Sequence, residues 1–139
     1  MRIEAKIANA NQSHAVLLST DGASKSLAIP PRPAGGGSSV NGGELLCLAL
    51  ATCYCNDIYR EAAKRNIAVL RVEVHAQAEF GGPGESATSL RYRAAVEARA
   101  PESDVRELML HTDRVAEIQG TLRKGMDVRF EQVEATSVA

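Results

Sequence analysis

The stretch Gly35–Ile67, GGGSSVNGGELLCLALATCYCNDIYREAAKRNI, decides the fold. A glycine-rich loop runs into a helix whose first half is almost wholly apolar: Leu45, Leu46, Cys47, Leu48, Ala49, Leu50, Ala51 and Cys53. A surface helix carries an apolar stripe, whereas a helix apolar all round is buried on every side. The run is about 11 residues long, short of the ~20 that cross a bilayer. A buried central helix with a thiol inside it is what remains. A chain of 139 residues is too small to wrap such a helix unless strands curl round it or a second subunit helps.

Asn41 is the expected N-cap of this helix, and Glu44 three residues later can reach back to the cap's amide in a capping box. In the second half Ile58, Ala62 and Ala63 are expected inside, with Arg60, Glu61, Lys64 and Arg65 outside. Asn66 suits the left-handed residue that closes a helix. Before the helix, residues 2–8, 13–19 and 24–30 alternate with period two and read as strands, separated by turns at Asn9-Ala10-Asn11 and Asp21-Gly22. Pro30-Pro31-Arg32-Pro33 ends the third, because proline has no donor for a ladder. After the helix, residues 67–80 and 87–99 read as two longer strands joined at Gly81-Gly82-Pro83-Gly84. A second helix fits 104–119, capped by Ser103 and stopped by Gly120, with Val105, Leu108, Met109, Thr112 and Ala116 on one buried face. Met126–Val133 reads as a last strand. The order βββ–α–ββ–α–β with antiparallel hairpins predicts an α+β fold, sheets wrapped round a long central helix, in a single domain over 1–139.

Composition narrows function. A net charge of −1, a pI near 6.3 and no tryptophan offer neither a basic footprint nor a stacking surface for nucleic acid, nor a charge for an anionic membrane. The N-terminus, MRIEAKIANANQ, has no apolar signal-peptide core, so a cytoplasmic protein is expected. The three cysteines then read as free thiols. Cys47, Cys53 and Cys55 diverge around one helix, and His14, His75 and His111 are scattered, so no metal site is expected. The glycine loop lacks the Lys-Ser/Thr ending of a phosphate loop, and no cofactor is implied. His75 reads as the exposed face of a strand, and His111 as the polar flank of its helix.

Asn41, Glu44-Leu45-Leu46, Ala49, Ala51 and Cys53 fall where the OsmC/Ohr family (osmotically inducible protein C and organic hydroperoxide resistance proteins) has N-P-E-E-L-L-x-x-A-x-A-x-C. The preceding glycines and the ending Leu122…Gly125-Met126-Asp127-Val128 also resemble that family. The similarity is densest over residues 35–67 and thinner elsewhere. It implies an OsmC-like fold, an intertwined homodimer with each pocket built from both chains, and a thiol peroxidase site centred on Cys53.

The remaining family residues are only partly matched. The resemblance implies an activating arginine and a helix-start glutamate that stabilise the thiolate, and a resolving cysteine on the later helix. The resolving position falls on Ala116, so that thiol is lost. The glutamate position falls on Gly43, with Glu44 next door but ~100° round the helix. The arginine position falls best on His14, with Arg32 of the loop as a second candidate. Neither Cys55 nor Cys47 replaces the missing thiol. Cys55 points roughly 200° away, and Cys47 lies about 9 Å along the axis, beyond the ~7 Å reach of a disulfide. Two functions remain open. One is a one-cysteine reduction of organic hydroperoxides, with an external thiol as reductant. The other is a non-catalytic module holding a small apolar or thiol-bearing ligand.

Overall fold

The computed structural model describes residues 1–138. It is an α+β fold with strands β1 (Ile3–Ala10), β2 (Ser13–Thr20) and β3 (Ala23–Ser26), helix α1 (Gly42–Lys64), strands β4 (Ala68–Phe80) and β5 (Ala87–Arg99), and helices α2 (Glu102–Val115) and α3 (Glu117–Lys124). The chain forms two compact units whose boundary falls inside α1, one of Met1–Leu48 and one from Ala49 onward.

The first unit is an antiparallel meander in the order β1-β2-β3. Ala10 pairs with Ser13 and Thr20 with Ala23, leaving the two-residue turns Asn11-Gln12 and Asp21-Gly22. All four turn residues have positive φ, the backbone twist that two-residue hairpin turns require. The first strand therefore runs through Asn9 and Ala10, past the expected turn. The third ends at Ser26, four residues early, before the prolines are reached. The glycine loop is ordered: Gly35, Gly36 and Gly37 have φ of 84°, 76° and 89°, a run that only glycine adopts without strain. Asn9 clamps it, donating to the Gly37 carbonyl at 3.1 Å and accepting from the Gly37 N–H at 3.0 Å. The capping box forms as its sequence dictates, with the Glu44 N–H donating to Asn41 Oδ1 at 2.8 Å and the Asn41 N–H to Glu44 Oε1 at 3.2 Å.

In the second unit β4 and β5 form a long hairpin. Its inner side chains Val69, Val72, Val74, Tyr92, Ala94 and Val96 pack on a core of Tyr54, Ile58 and Ala62 from α1 and Leu108 from α2. Asn66, at φ 55°, closes α1.

Within one chain the apolar half of α1 is left partly uncovered, with Leu48 55% exposed. Three expectations are corrected. Glu61 is buried and Ala63 exposed, the reverse of their hydropathy, because Glu61 gathers Arg60, Lys64 and His111 around its carboxylate. The second helix begins earlier, on Pro101, whose carbonyl takes the first amide bonds, and Ser103 caps nothing. It also breaks at Ala116, which turns extended (φ −67°, ψ 122°). Gly120 falls inside α3, and the left-handed Gly125 does the stopping. Met126–Val133 forms no strand. Its alternating Met126, Val128 and Phe130 find no sheet edge among the described residues and stand 66%, 92% and 88% exposed.

Candidate thiol site

The break at Ala116 builds the site. A continuous helix would carry the residue after Ala116 ~100° away from it. The extended Ala116 instead starts α3 afresh, and Glu117 and the Ile118 N–H arrive at Cys53 on α1. Ala116 is itself buried. Gln119 ties the two helices, its Nε2 donating to the Leu50 carbonyl at 3.2 Å.

Cys53 is half-buried, and its thiol donates towards Asp57 Oδ2 at 3.5 Å and Glu117 Oε2 at 3.7 Å. Asp57 shares its face because four residues make about one helical turn. Arg60 closes the group, with Nη1 at 2.9 Å from both Asp57 Oδ1 and Glu117 Oε1, and Nε donating to Glu61 Oε1 at 2.9 Å. Burial pushes the Cys53 thiol up, and the charges of Asp57 and Glu117 add to this, while the Ile118 N–H opposes it. Burial also raises Asp57, with Glu117 beside it and Arg60 resisting. Glu117 is held below the ordinary carboxylate range by its own amide N–H, then by Asp57 and Arg60. The resting site is a protonated thiol hydrogen-bonded to carboxylates, with one amide dipole ready for the thiolate.

Cys53, Asp57 and Glu117 bring one donor atom each within 4.8 Å of one another, a different set from the diverging cysteines of the sequence reading. Arg60 already supplies the positive charge there, occupying one oxygen of each carboxylate, and a fourth ligand for tetrahedral zinc is not among them.

The other candidates lie in the first unit. His14 Nδ1 is 3.0 Å from the Asn9 side-chain nitrogen, and Arg32 Nε donates to the Ser38 carbonyl at 3.1 Å, so both gather at the glycine loop. Glu44 is engaged in the capping box. Cys47 and Cys55 are free thiols, half-buried. Asp57, Arg60 and Glu117 were not legible as site residues. The i+4 spacing from Cys53 is the one signal that could have found Asp57, whereas only the helix break brings Glu117 in.

Two antiparallel sheets, a long helix bearing a half-buried cysteine and a short helix whose first residues meet that thiol define a small α+β thiol protein. The chain belongs to the family described as OsmC-like protein, whose model matches residues 35–131. Solved structures share the fold at low identity. An OsmC-like protein from Mycoplasma pneumoniae is 14% identical, covering 88% of this chain and 89% of its own, with a TM-score of 0.61. An organic hydroperoxide resistance protein from Elizabethkingia anophelis is 14% identical over 90% of each chain, TM-score 0.60. The organic hydroperoxide resistance protein OsmC from Legionella pneumophila is 19% identical, covering 93% of this chain and 94% of its own, TM-score 0.53. No curated protein matches the chain. No helix of the described residues is long and apolar enough to cross a membrane.

Proposed function

We propose that this chain serves oxidative-stress defence as a thiol-dependent redox protein, in which Cys53 alone reduces organic hydroperoxides and an external thiol restores it. The observation that carries this is the half-buried Cys53 thiol, hydrogen-bonded to Asp57 and Glu117 and facing the Ile118 N–H. Sulfur attack on the terminal peroxide oxygen gives a sulfenic acid and an alcohol. Ala116 cannot resolve that product, so a second thiol from outside forms a mixed disulfide and releases water. Turnover is slow, because the resting thiol is held protonated. The hydroperoxide resistance proteins among the structural relatives support the reaction class.

The raised thiol and the lost resolving cysteine favour one other reading, a non-catalytic module that holds a small apolar or thiol-bearing ligand. Consumption of cumene hydroperoxide with a monothiol or dithiol reductant separates the two. The enzymatic reading expects slow consumption that Cys53→Ser abolishes; equal rates in wild type and Cys53→Ser would overturn it.

The working form is a homodimer in the reducing cytoplasm, each chain acting as one OsmC-like domain. The support is the apolar surface one chain leaves uncovered: Leu48 on α1 and the alternating Val128 and Phe130 of the C-terminal segment. A two-fold partner covers such faces reciprocally, in an interface of well over ~2,000 Å².

A further inference from the structure

The two carboxylates beside Cys53 divide their oxygens in the same way. Asp57 Oδ1 and Glu117 Oε1 both take Arg60 Nη1 at 2.9 Å, which leaves Asp57 Oδ2 and Glu117 Oε2 turned to the sulfur at 3.5 and 3.7 Å. The thiol has one proton to donate, and Asp57 and Glu117 share a hydrogen bond in which Asp57 is held high and Glu117 low, so Glu117 is the carboxylate left ionised to accept. The two differ in access. The Asp57 side chain is 7% exposed and that of Glu117 is 57% exposed, so a molecule arriving from solvent meets Glu117. Carboxylates that merely sat beside the sulfur would hold back the thiolate. They assist it only by moving its proton.

Resting on the reading of Cys53 as a hydroperoxide-reducing thiol, we propose that Glu117 is the acid–base residue of that reaction, with Arg60 and Asp57 as its positioning residues. Glu117 Oε2 takes the thiol proton as Sγ attacks the terminal oxygen of R–O–O–H. The S–O bond forms, and the O–O bond breaks with its electron pair leaving on the alkoxide. That alkoxide takes the proton from Glu117 and departs as R–OH. The sulfur is oxidised to sulfenic acid, the hydroperoxide is reduced to alcohol, and Glu117 ends ionised as it began. The Ile118 N–H faces the sulfur while it carries negative charge. The charged groups around the sulfur come from two elements, Asp57 and Arg60 from α1 and Glu117 from α3. Behind Arg60, Glu61 is bonded in turn to His111 of α2 at 3.2 Å. The chain thus carries a proton shuttle on the residue next to Ala116, where the resolving thiol is lost.

The test compares two reactions of Cys53 in single turnover on the full-length protein, with wild type and Glu117→Gln. Alkylation by iodoacetamide expels iodide, which needs no proton, whereas reduction of cumene hydroperoxide expels an alkoxide that does. Removing the Glu117 charge is expected to speed alkylation at pH 7, because the thiol then ionises more readily. Peroxide reduction is expected to slow by about 100-fold, the usual scale of a lost acid–base group. A purely electrostatic or structural role moves both rates in the same direction. Both rates moving in the same direction, or an unchanged peroxide rate, would overturn the assignment while leaving Cys53 as the redox thiol. If wild-type Cys53 reduces no hydroperoxide, the assignment falls together with the reading it rests on. Glu117 is exposed enough for the Gln variant to fold. Glu117→Asp, which keeps the acid on a shorter arm, is expected to recover part of the peroxide rate, and no recovery counts against the shuttle.

Discussion

Replacing Leu48 by Ser tests whether the uncovered face of α1 is an interface. Leu48 is 55% exposed in one chain, so about half of its burial is still to be gained. Full burial of a leucine is worth ~1.5–3 kcal/mol, which leaves about 1 kcal/mol per chain and about 2 kcal/mol per two-fold pair. The introduced hydroxyls, buried without assured partners, add ~1 kcal/mol or more per pair. The expected loss is ~2–4 kcal/mol of association, roughly 30- to 700-fold in the dimer dissociation constant. Sedimentation over a concentration series should show wild type at about twice the 14.8 kDa chain mass and the variant dissociating at higher protomer concentration. The melting temperature should fall with it and become more concentration-dependent, so comparisons need a fixed protomer concentration. In a lone chain Leu48→Ser costs about 1–1.5 kcal/mol, the half of its burial made within the chain plus helix propensity, and that loss does not depend on protomer concentration. A wild-type monomer, or a variant with unchanged mass and melting temperature, would refute the reasoning.

Ile58 is fully buried among Tyr54, Ala62 and Leu108, so Ile58→Ala should destabilise by about 3 kcal/mol, read as a lower urea midpoint; a change under ~1 kcal/mol would contradict the packing. Ala116→Cys, at the buried position where the resemblance places a resolving cysteine, should form a disulfide with Cys53 on mild oxidation; four free thiols after oxidation would show that the two positions do not meet. Lys64, then Arg60 and His111, hold Glu61 down to about 2. A depressed carboxylate contributes stability that is fully present above its unfolded value of ~4.3 and lost as pH falls towards about 2. Wild type should therefore lose stability to Glu61→Gln at pH 6 but not at pH 2, and an equal gap at both would remove the ion cluster from the account.

The regular elements were legible because local chemistry decides them. Asn41 and Glu44 carry a capping box, and the alternation through Val72–Ala78 and Tyr92–Ala98 fixes the faces of a hairpin. What escaped were outcomes set by distant partners. Glu61 reads as a surface residue until Arg60, Lys64 and His111 are seen to enclose its charge. The apolar face Val105–Leu108–Thr112–Ala116 runs on smoothly in sequence, so nothing local announces that Ala116 turns extended. That one residue hid the site, because Glu117 meets Cys53 only after the turn. Met126, Val128 and Phe130 carry a strand's alternation, yet a strand also needs an edge to pair with.

Trapping the oxidised sulfur is the most direct test of Cys53 as the redox centre. The protein is treated with one equivalent of cumene hydroperoxide in the presence of dimedone, and the peptide carrying Cys47, Cys53 and Cys55 is sequenced by mass spectrometry. The account predicts the sulfenic-acid adduct on Cys53, with Cys47 and Cys55 unmodified and one alcohol released per adduct. An unmodified Cys53, or an adduct that forms equally on Cys47 or Cys55, would contradict it.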